Sequence, residues 1–204
     1  PVLLNGTQAL VRLMLMQKSR DRQAGLNTAG YVTGYRGSPL GGVDLNMARA
    51  GKILGANDIR FQPGLNEDLA ATAVWGSQQV QLSPGARKDG VVGLWYGKGP
   101  GVDRCGDVFK HANAAGSAAL GGVLAIAGDD HTCKSSSIPH QSDHAFISAL
   151  MPMLYPSSVH EFLEMGLLGI AMSRFSGCWV GFKVISETVE ISSVVDLAQE
   201  ARSF

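Results

Sequence analysis

The chain has 204 residues, 45% of them hydrophobic and 17% charged, with 26 glycines. That length can bury roughly 70% of the unfolded surface, and the balance describes one α/β domain rather than a disordered, fibrous or membrane chain. Seventeen basic and seventeen acidic side chains cancel, so no net field recruits nucleic acid or an anionic membrane.

Cys105, Cys133 and Cys178 are odd in number and widely spaced, which supports neither a disulfide framework nor a cysteine metal cluster and suits a reducing cytoplasm. No apolar run approaches the roughly 18 residues of a membrane span, and no basic-then-apolar leader opens the chain. Pro1 at one end and Arg202-Ser203-Phe204 at the other suggest a piece of a longer polypeptide.

In chain order, residues 7–17 carry helix formers with Leu10, Leu13, Met14 and Gln17 at helical spacing, and residues 20–27 read as a polar turn. Residues 29–35 read as a strand running into the glycine-rich corner Arg36-Gly37-Ser38-Pro39-Leu40-Gly41-Gly42. A helix over 44–54 and a short strand over 59–61 follow. Pro63-Gly64 breaks that strand, and Asn66 is a good N-cap for a helix over 67–81, which puts Glu67 in its first turn.

Residues 90–96 form a continuous apolar run and predict a buried strand, closed at once by the loop Gly97-Lys98-Gly99-Pro100-Gly101. A helix over 103–119 leads to a strand over 121–127, closed by Gly128-Asp129-Asp130-His131. A Ser-rich loop spans 132–139, then a helix around 143–150 and a short strand near 153–155. Ser158 caps a helix over 159–174, and residues 179–185 make the sixth strand. The pattern predicts a three-layer α/β/α domain over 1–190 with a six-stranded, mostly parallel sheet, and an exit segment over 191–204 toward a following domain.

In such a sheet the loops after the strands open at the edge where ligands bind, so three glycine corners and Glu67 collect at one edge. Glu67 and Asp68 also suit a helix N-terminus that simply faces water. The glycine corners match neither the dinucleotide nor the P-loop signature. Asp129, Asp130, His131, His140 and His144 invite a metal reading, but their spacing matches no metal site, and polar satisfaction within a loop is the better reading. Ser142, Asp143 and His144 are consecutive, which is not how a catalytic triad is laid out. Ser135, Ser136 and Ser137 beside Lys134 suit either an anion cradle or loop solubility. Lys98 and Arg104 flank the ligand edge and favour an anionic substrate, although solvated surface charges are the default reading of such a pair.

The segments Tyr35-Arg36-Gly37-Ser38-Pro39-Leu40-Gly41-Gly42, Asn66-Glu67-Asp68-Leu69-Ala70-Ala71-Thr72-Ala73-Val74-Trp75-Gly76, Tyr96-Gly97-Lys98-Gly99-Pro100-Gly101-Val102-Asp103-Arg104 and Ala127-Gly128-Asp129-Asp130-His131 together resemble the fused indolepyruvate ferredoxin oxidoreductases. These belong to the thiamine-diphosphate-dependent 2-oxoacid:ferredoxin oxidoreductases, and the chain is similar to their pyrimidine-binding domain along nearly its whole length.

The resemblance implies oxidative decarboxylation of an arylpyruvate to an acyl-CoA, with CoA as co-substrate and electrons passed through 4Fe-4S clusters to ferredoxin. Glu67 takes the position of the glutamate that contacts N1′ of the aminopyrimidine and promotes the tautomer able to remove the C2 proton, a task suited to a buried acid with a raised pKa. Gly37, Ser38, Pro39, Gly99, Pro100 and Gly101 would line the cofactor, and Ser38, Lys98, Arg104 and His131 the 2-oxoacid. The family's Gly-Asp-Gly segment with a later Asn, which holds diphosphate and Mg²⁺, is replaced here by Gly128-Asp129-Asp130, and the four-cysteine cluster motif is absent. A diphosphate-binding domain of the same chain or of a homodimer mate would complete the site. A non-catalytic dimerisation scaffold and another thiamine-dependent enzyme, such as a decarboxylase, remain the alternatives.

Overall fold

A computed structural model describes residues 1–197. In order, its elements are β1 (Val2–Asn5), α1 (Gly6–Gln23), β2 (Ala29–Gly34), α2 (Gly41–Arg49), α3 (Gly51–Ala56), β3 (Ile59–Phe61) and α4 (Glu67–Ser77). After a 3₁₀ turn at Val80–Leu82 come β4 (Val91–Lys98), α5 (Gly99–Arg104), α6 (Gly106–Ala115), β5 (Val123–Asp129), α7 (Asp143–Ser148) and β6 (Met153–Leu154). The remainder is α8 (Val159–Ser176), β7 (Val180–Ile185), α9 (Ser186–Val189) and β8 (Ser192–Val195).

The six expected strands form one sheet in the order β3-β2-β4-β5-β7-β6, and every neighbouring pair is parallel. Alternation along the strands feeds two cores, one on each face. Val92, Leu94, Tyr96, Leu124, Ile126, Phe182 and Val184 pack with α1, α2 and α8. Trp95, Val123, Ala125 and Ala127 pack with α4, α5 and α6 on the other side. The domain is the expected three-layer α/β/α sandwich.

The strand order fixes where a ligand would sit. From β2 the chain steps outward to β3, and from β4 it steps the opposite way to β5. The carboxyl ends of β2 and β4 therefore flank the point where the winding reverses, the place where open α/β sheets leave a crevice.

Several elements differ from their sequence-based expectation, each for a local reason. Helix α1 runs on to Gln23, because Asn5 and Gln8 cap its start reciprocally at 2.9 and 3.0 Å and it ends only before Gly25 at φ +76°. The helix expected over 44–54 breaks into α2 and α3 at Ala50. The glycine run after β4 is a helix, not a loop: β4 continues through Lys98 and α5 starts directly, with Pro100 in its first turn where a missing N–H costs nothing. The helix expected over 103–119 is split at Cys105 and stops at Gly116, whose φ of +83° ends it. Strands β1 and β8 pair antiparallel as a separate two-stranded ribbon, Val2 opposite Val195 and Asn5 opposite Ser192. Of the segment 191–204, residues 198–204 lie outside the described residues.

Candidate functional site

Three connections converge on the reversal point. The first follows β2, where the Ser38–Pro39 peptide is cis and Gly37 packs on Lys98, a Cβ there lying 3.1 Å from the lysine Cβ. The second follows β3: the N–H of Gly64 donates to the carbonyl of Gly34 at 2.8 Å, which draws the 62–66 turn across the end of β2. The third is the passage from β4 into α5.

Asn66 caps α4 as expected, its side-chain oxygen accepting from the N–H of Leu69 at 2.9 Å. That sets the direction of Glu67. Its backbone carbonyl accepts from Nε1 of Trp95 at 2.9 Å, so a fully buried indole on β4 locks the first turn of α4 to the sheet. The carboxylic side chain then lies over the β4–α5 passage. A Cβ on Gly101 would be 2.5 Å from its Cγ and 2.8 Å from its Oε1, and a Cβ on Gly97 would be 3.5 Å from its Cγ. Glycines in these places make the room that Glu67 occupies. The carboxylate is half-buried and accepts no hydrogen bond from the described residues. A partly exposed carboxylate that no structural donor holds is open to a partner from the space it faces.

Of the other candidates, Gly101 packs on the Glu67 side chain, while Ser38 and His131 line two separate clefts. Ser38 is half-buried, and its hydroxyl has no hydrogen-bond partner among the described residues. With Pro39, Gly41 and Gly42 it lines a cleft of about 310 Å³ shared with Asn5, Thr7 and Glu190. The ammonium of Lys98 donates to the carbonyl of Ser135 at 2.9 Å. Pro100 is exposed at the start of α5, whereas Gly99 is buried beneath His140. Arg104 donates to Asp68 at 2.9 Å in an exposed pair, a bond that water screens and that exchanges at little cost. His131 is exposed on a cleft of about 240 Å³ lined with Pro139, His140 and Gln141.

The chain between β5 and α7 holds an arrangement that sequence spacing concealed. Asp129 is fully buried, and its carboxylate accepts from the N–H and hydroxyl of Ser142 at 2.7 and 2.6 Å, with the buried Lys183 ammonium 3.7 Å away. Lys183 itself donates to Asp143 at 2.6 Å. The carboxylate of Asp130 accepts the N–H groups of Ser135 and Lys134 at 2.9 Å each. The Ser135 N–H first, with Lys134 and despite burial, holds its pKa down to about 2. The two aspartates thus pin both ends of the 130–142 loop to the tip of β5. His140 stands on that loop with Nδ1 3.5 Å from Asp129 and Nε2 2.7 Å from Asp103 of α5. His131, His140 and His144 do not gather with acids into a group fit to hold a metal ion among the described residues. The only sequence hint was the density of Asp and His after β5.

No family model and no curated protein matches this sequence. Among solved structures, the chain is similar to the 2-oxoglutarate:ferredoxin oxidoreductase from Magnetococcus marinus, a structure with 2-oxoglutarate, coenzyme A and succinyl-CoA bound. The TM-score is 0.70 at 13% identity, over 94% of this chain and 30% of that one. The two share a fold, and this chain spans under a third of the length of that enzyme.

Proposed function

We propose that this chain is the aminopyrimidine-side domain of a thiamine-diphosphate-dependent 2-oxoacid:ferredoxin oxidoreductase of the indolepyruvate type. The observation that carries the reading is Glu67: a half-buried carboxylate without a hydrogen-bond donor among the described residues, at the sheet's reversal point, given room by Gly97 and Gly101. The fold shared with a 2-oxoglutarate:ferredoxin oxidoreductase supports it.

The cofactor would supply an electron sink for the carbanion left by decarboxylation. Glu67 would hold a proton at N1′ of the ring, and Gly37, Ser38, Pro39, Gly99, Pro100 and Gly101 would shape the walls around it. The free hydroxyl of Ser38 would face the 2-oxoacid, with Lys98, Arg104 and His131 supplying positive or donor groups for its carboxylate. Diphosphate and Mg²⁺ would be held by another domain, in the same polypeptide or in a homodimer mate. The 4Fe-4S clusters, the CoA site and the ferredoxin surface would also lie outside this chain, in a cytoplasmic enzyme.

The test uses the complete enzyme with thiamine diphosphate, CoA, ferredoxin and indolepyruvate. Glu67→Gln keeps the shape of the side chain, so the melting temperature should hold while turnover falls about 10²-fold or more. Wild-type turnover in that variant would remove Glu67 from the reaction. Preference for 2-oxoglutarate over indolepyruvate in the wild type would overturn the substrate assignment alone.

A further inference from the structure

We propose that His140 is a positioning residue for Glu67, acting through α5; the inference rests on the role given to Glu67 above. Helix α5 has only six residues, too few for its own hydrogen bonds to hold it in place, so its location comes from what it packs against. One side of it meets His140 and the other meets Glu67.

The imidazole is about one-tenth exposed. Its Nε2 faces Asp103 of α5 at 2.7 Å, and its ring fills the space that a side chain on Gly99 would need. Its Nδ1 faces Asp129, which Ser142 fixes to the end of β5 through two hydrogen bonds. A second tether, from Lys98 to the carbonyl of Ser135, joins the start of α5 to the same loop. Two residues beyond Gly99, Gly101 rests against the carboxylic side chain of Glu67. The path from the sheet to the acid therefore runs Asp129, His140, α5, Gly101, Glu67, with each step a contact.

Loss of the imidazole uncovers Gly99 and frees Asp103, which is 61% exposed and well solvated without it. Helix α5 then relaxes toward the gap and draws away from Glu67. A displacement near 1 Å at a reacting group costs about 10²-fold in rate. The contacts of the His140 ring are with Asp129, Asp103 and Gly99, so its influence on Glu67 runs through α5.

The experiment compares His140→Ala, His140→Gln and Asp103→Asn in the full-length protein. Amide hydrogen exchange over residues 99–104, measured without cofactor, should rise about 10-fold or more in His140→Ala and by less in the other two. In the loaded enzyme kcat should fall about 10²-fold in His140→Ala while the Kd for thiamine diphosphate stays near wild type. His140→Gln, whose amide still donates toward Asp103, should recover most of the rate. Unchanged exchange over 99–104 in His140→Ala overturns the proposal, as does a Kd that weakens in step with kcat. If His140→Ala fails to fold, Asp103→Asn carries the same comparison, and wild-type exchange and kcat in it overturn the proposal. Wild-type turnover in Glu67→Gln would instead defeat the reading of Glu67 and leave the exchange result to decide the tether.

Discussion

Gly101 and Glu67 occupy complementary space: a methyl group on Gly101 would sit 2.5 Å from Cγ of Glu67 and 2.8 Å from its Oε1. The atoms in the way belong to the end of a flexible side chain, so Gly101→Ala is relieved by turning the carboxyl away rather than by moving backbone. The variant should fold normally, with an unchanged far-UV spectrum and melting temperature. Its kcat should fall about 10²-fold, because the acid is misplaced by roughly an ångström. Gly6→Ala makes the control, since its Cβ would meet the Val189 backbone at 2.6 Å and that variant should lose stability instead.

Cys105 lies beneath the same corner. Burial first, then the nearby carboxylates of Asp68 and Glu67, pushes its thiol far above the usual cysteine range. The thiolate is the reactive form, so Cys105 should resist alkylation in the native protein. Cys133 and Cys178 are half-buried and should react. Peptide mapping after iodoacetamide treatment at pH 8 should find label at those two, with Cys105 labelled only after denaturation.

Stability is anchored at the opposite edge of the sheet. Asp21 at the end of α1 accepts both guanidinium N–H groups of Arg174 of α8 at 2.7 and 2.8 Å, the Thr28 hydroxyl at 2.6 Å and the Gln17 amide at 2.8 Å. Burial pushes the Asp21 carboxyl upward, but these donors and the charge of Arg174 outweigh it and leave its pKa below the ordinary value. A depressed folded value means stabilisation that is complete above the unfolded pKa and lost as pH falls through the folded one. Arg174→Met should cost about 3 kcal/mol at pH 7, since it strands a buried charge. That difference from wild type should shrink in acid below the ordinary aspartate range, as denaturant melts at descending pH will read directly.

Tyr96 ties β4 to α2 through its hydroxyl, which donates to Asp44 at 2.7 Å. Burial first, then the Asp44 carboxylate, keeps that hydroxyl protonated far above the usual tyrosine range. Tyr96→Phe leaves Asp44 without this donor, and about 1 kcal/mol of stability should go with it. A lowered urea midpoint at unchanged slope is the expected sign.

The sheet was legible because parallel strands buried on both faces read as apolar runs, as over Val91–Lys98 and Val123–Asp129. The Asn66 cap was legible too, since a cap is a local matter of a few residues. What escaped is what only the folded chain brings together. His140 meets Asp129 and Asp103 across 11 and 37 positions, and no spacing rule links them. The β1–β8 ribbon joins the two ends of the described chain through short, mostly exposed segments with no alternation to betray them. Helix α5 was hidden by glycine's poor helix propensity, which packing against Glu67 and His140 overrides. In the sequence, Gly128-Asp129-Asp130 showed only as a departure from the Gly-Asp-Gly segment; that its two acids fasten the 130–142 loop is visible only in the folded chain.

Hydrogen–deuterium exchange at C2 of bound thiamine diphosphate, followed by NMR in the complete wild-type enzyme and its Glu67→Gln variant, addresses Glu67 most directly. Exchange should slow about 10²- to 10⁴-fold in the variant while the cofactor remains bound. Equal exchange rates in the two proteins, with cofactor bound in both, would contradict the assignment of Glu67 and favour a scaffold role for this domain.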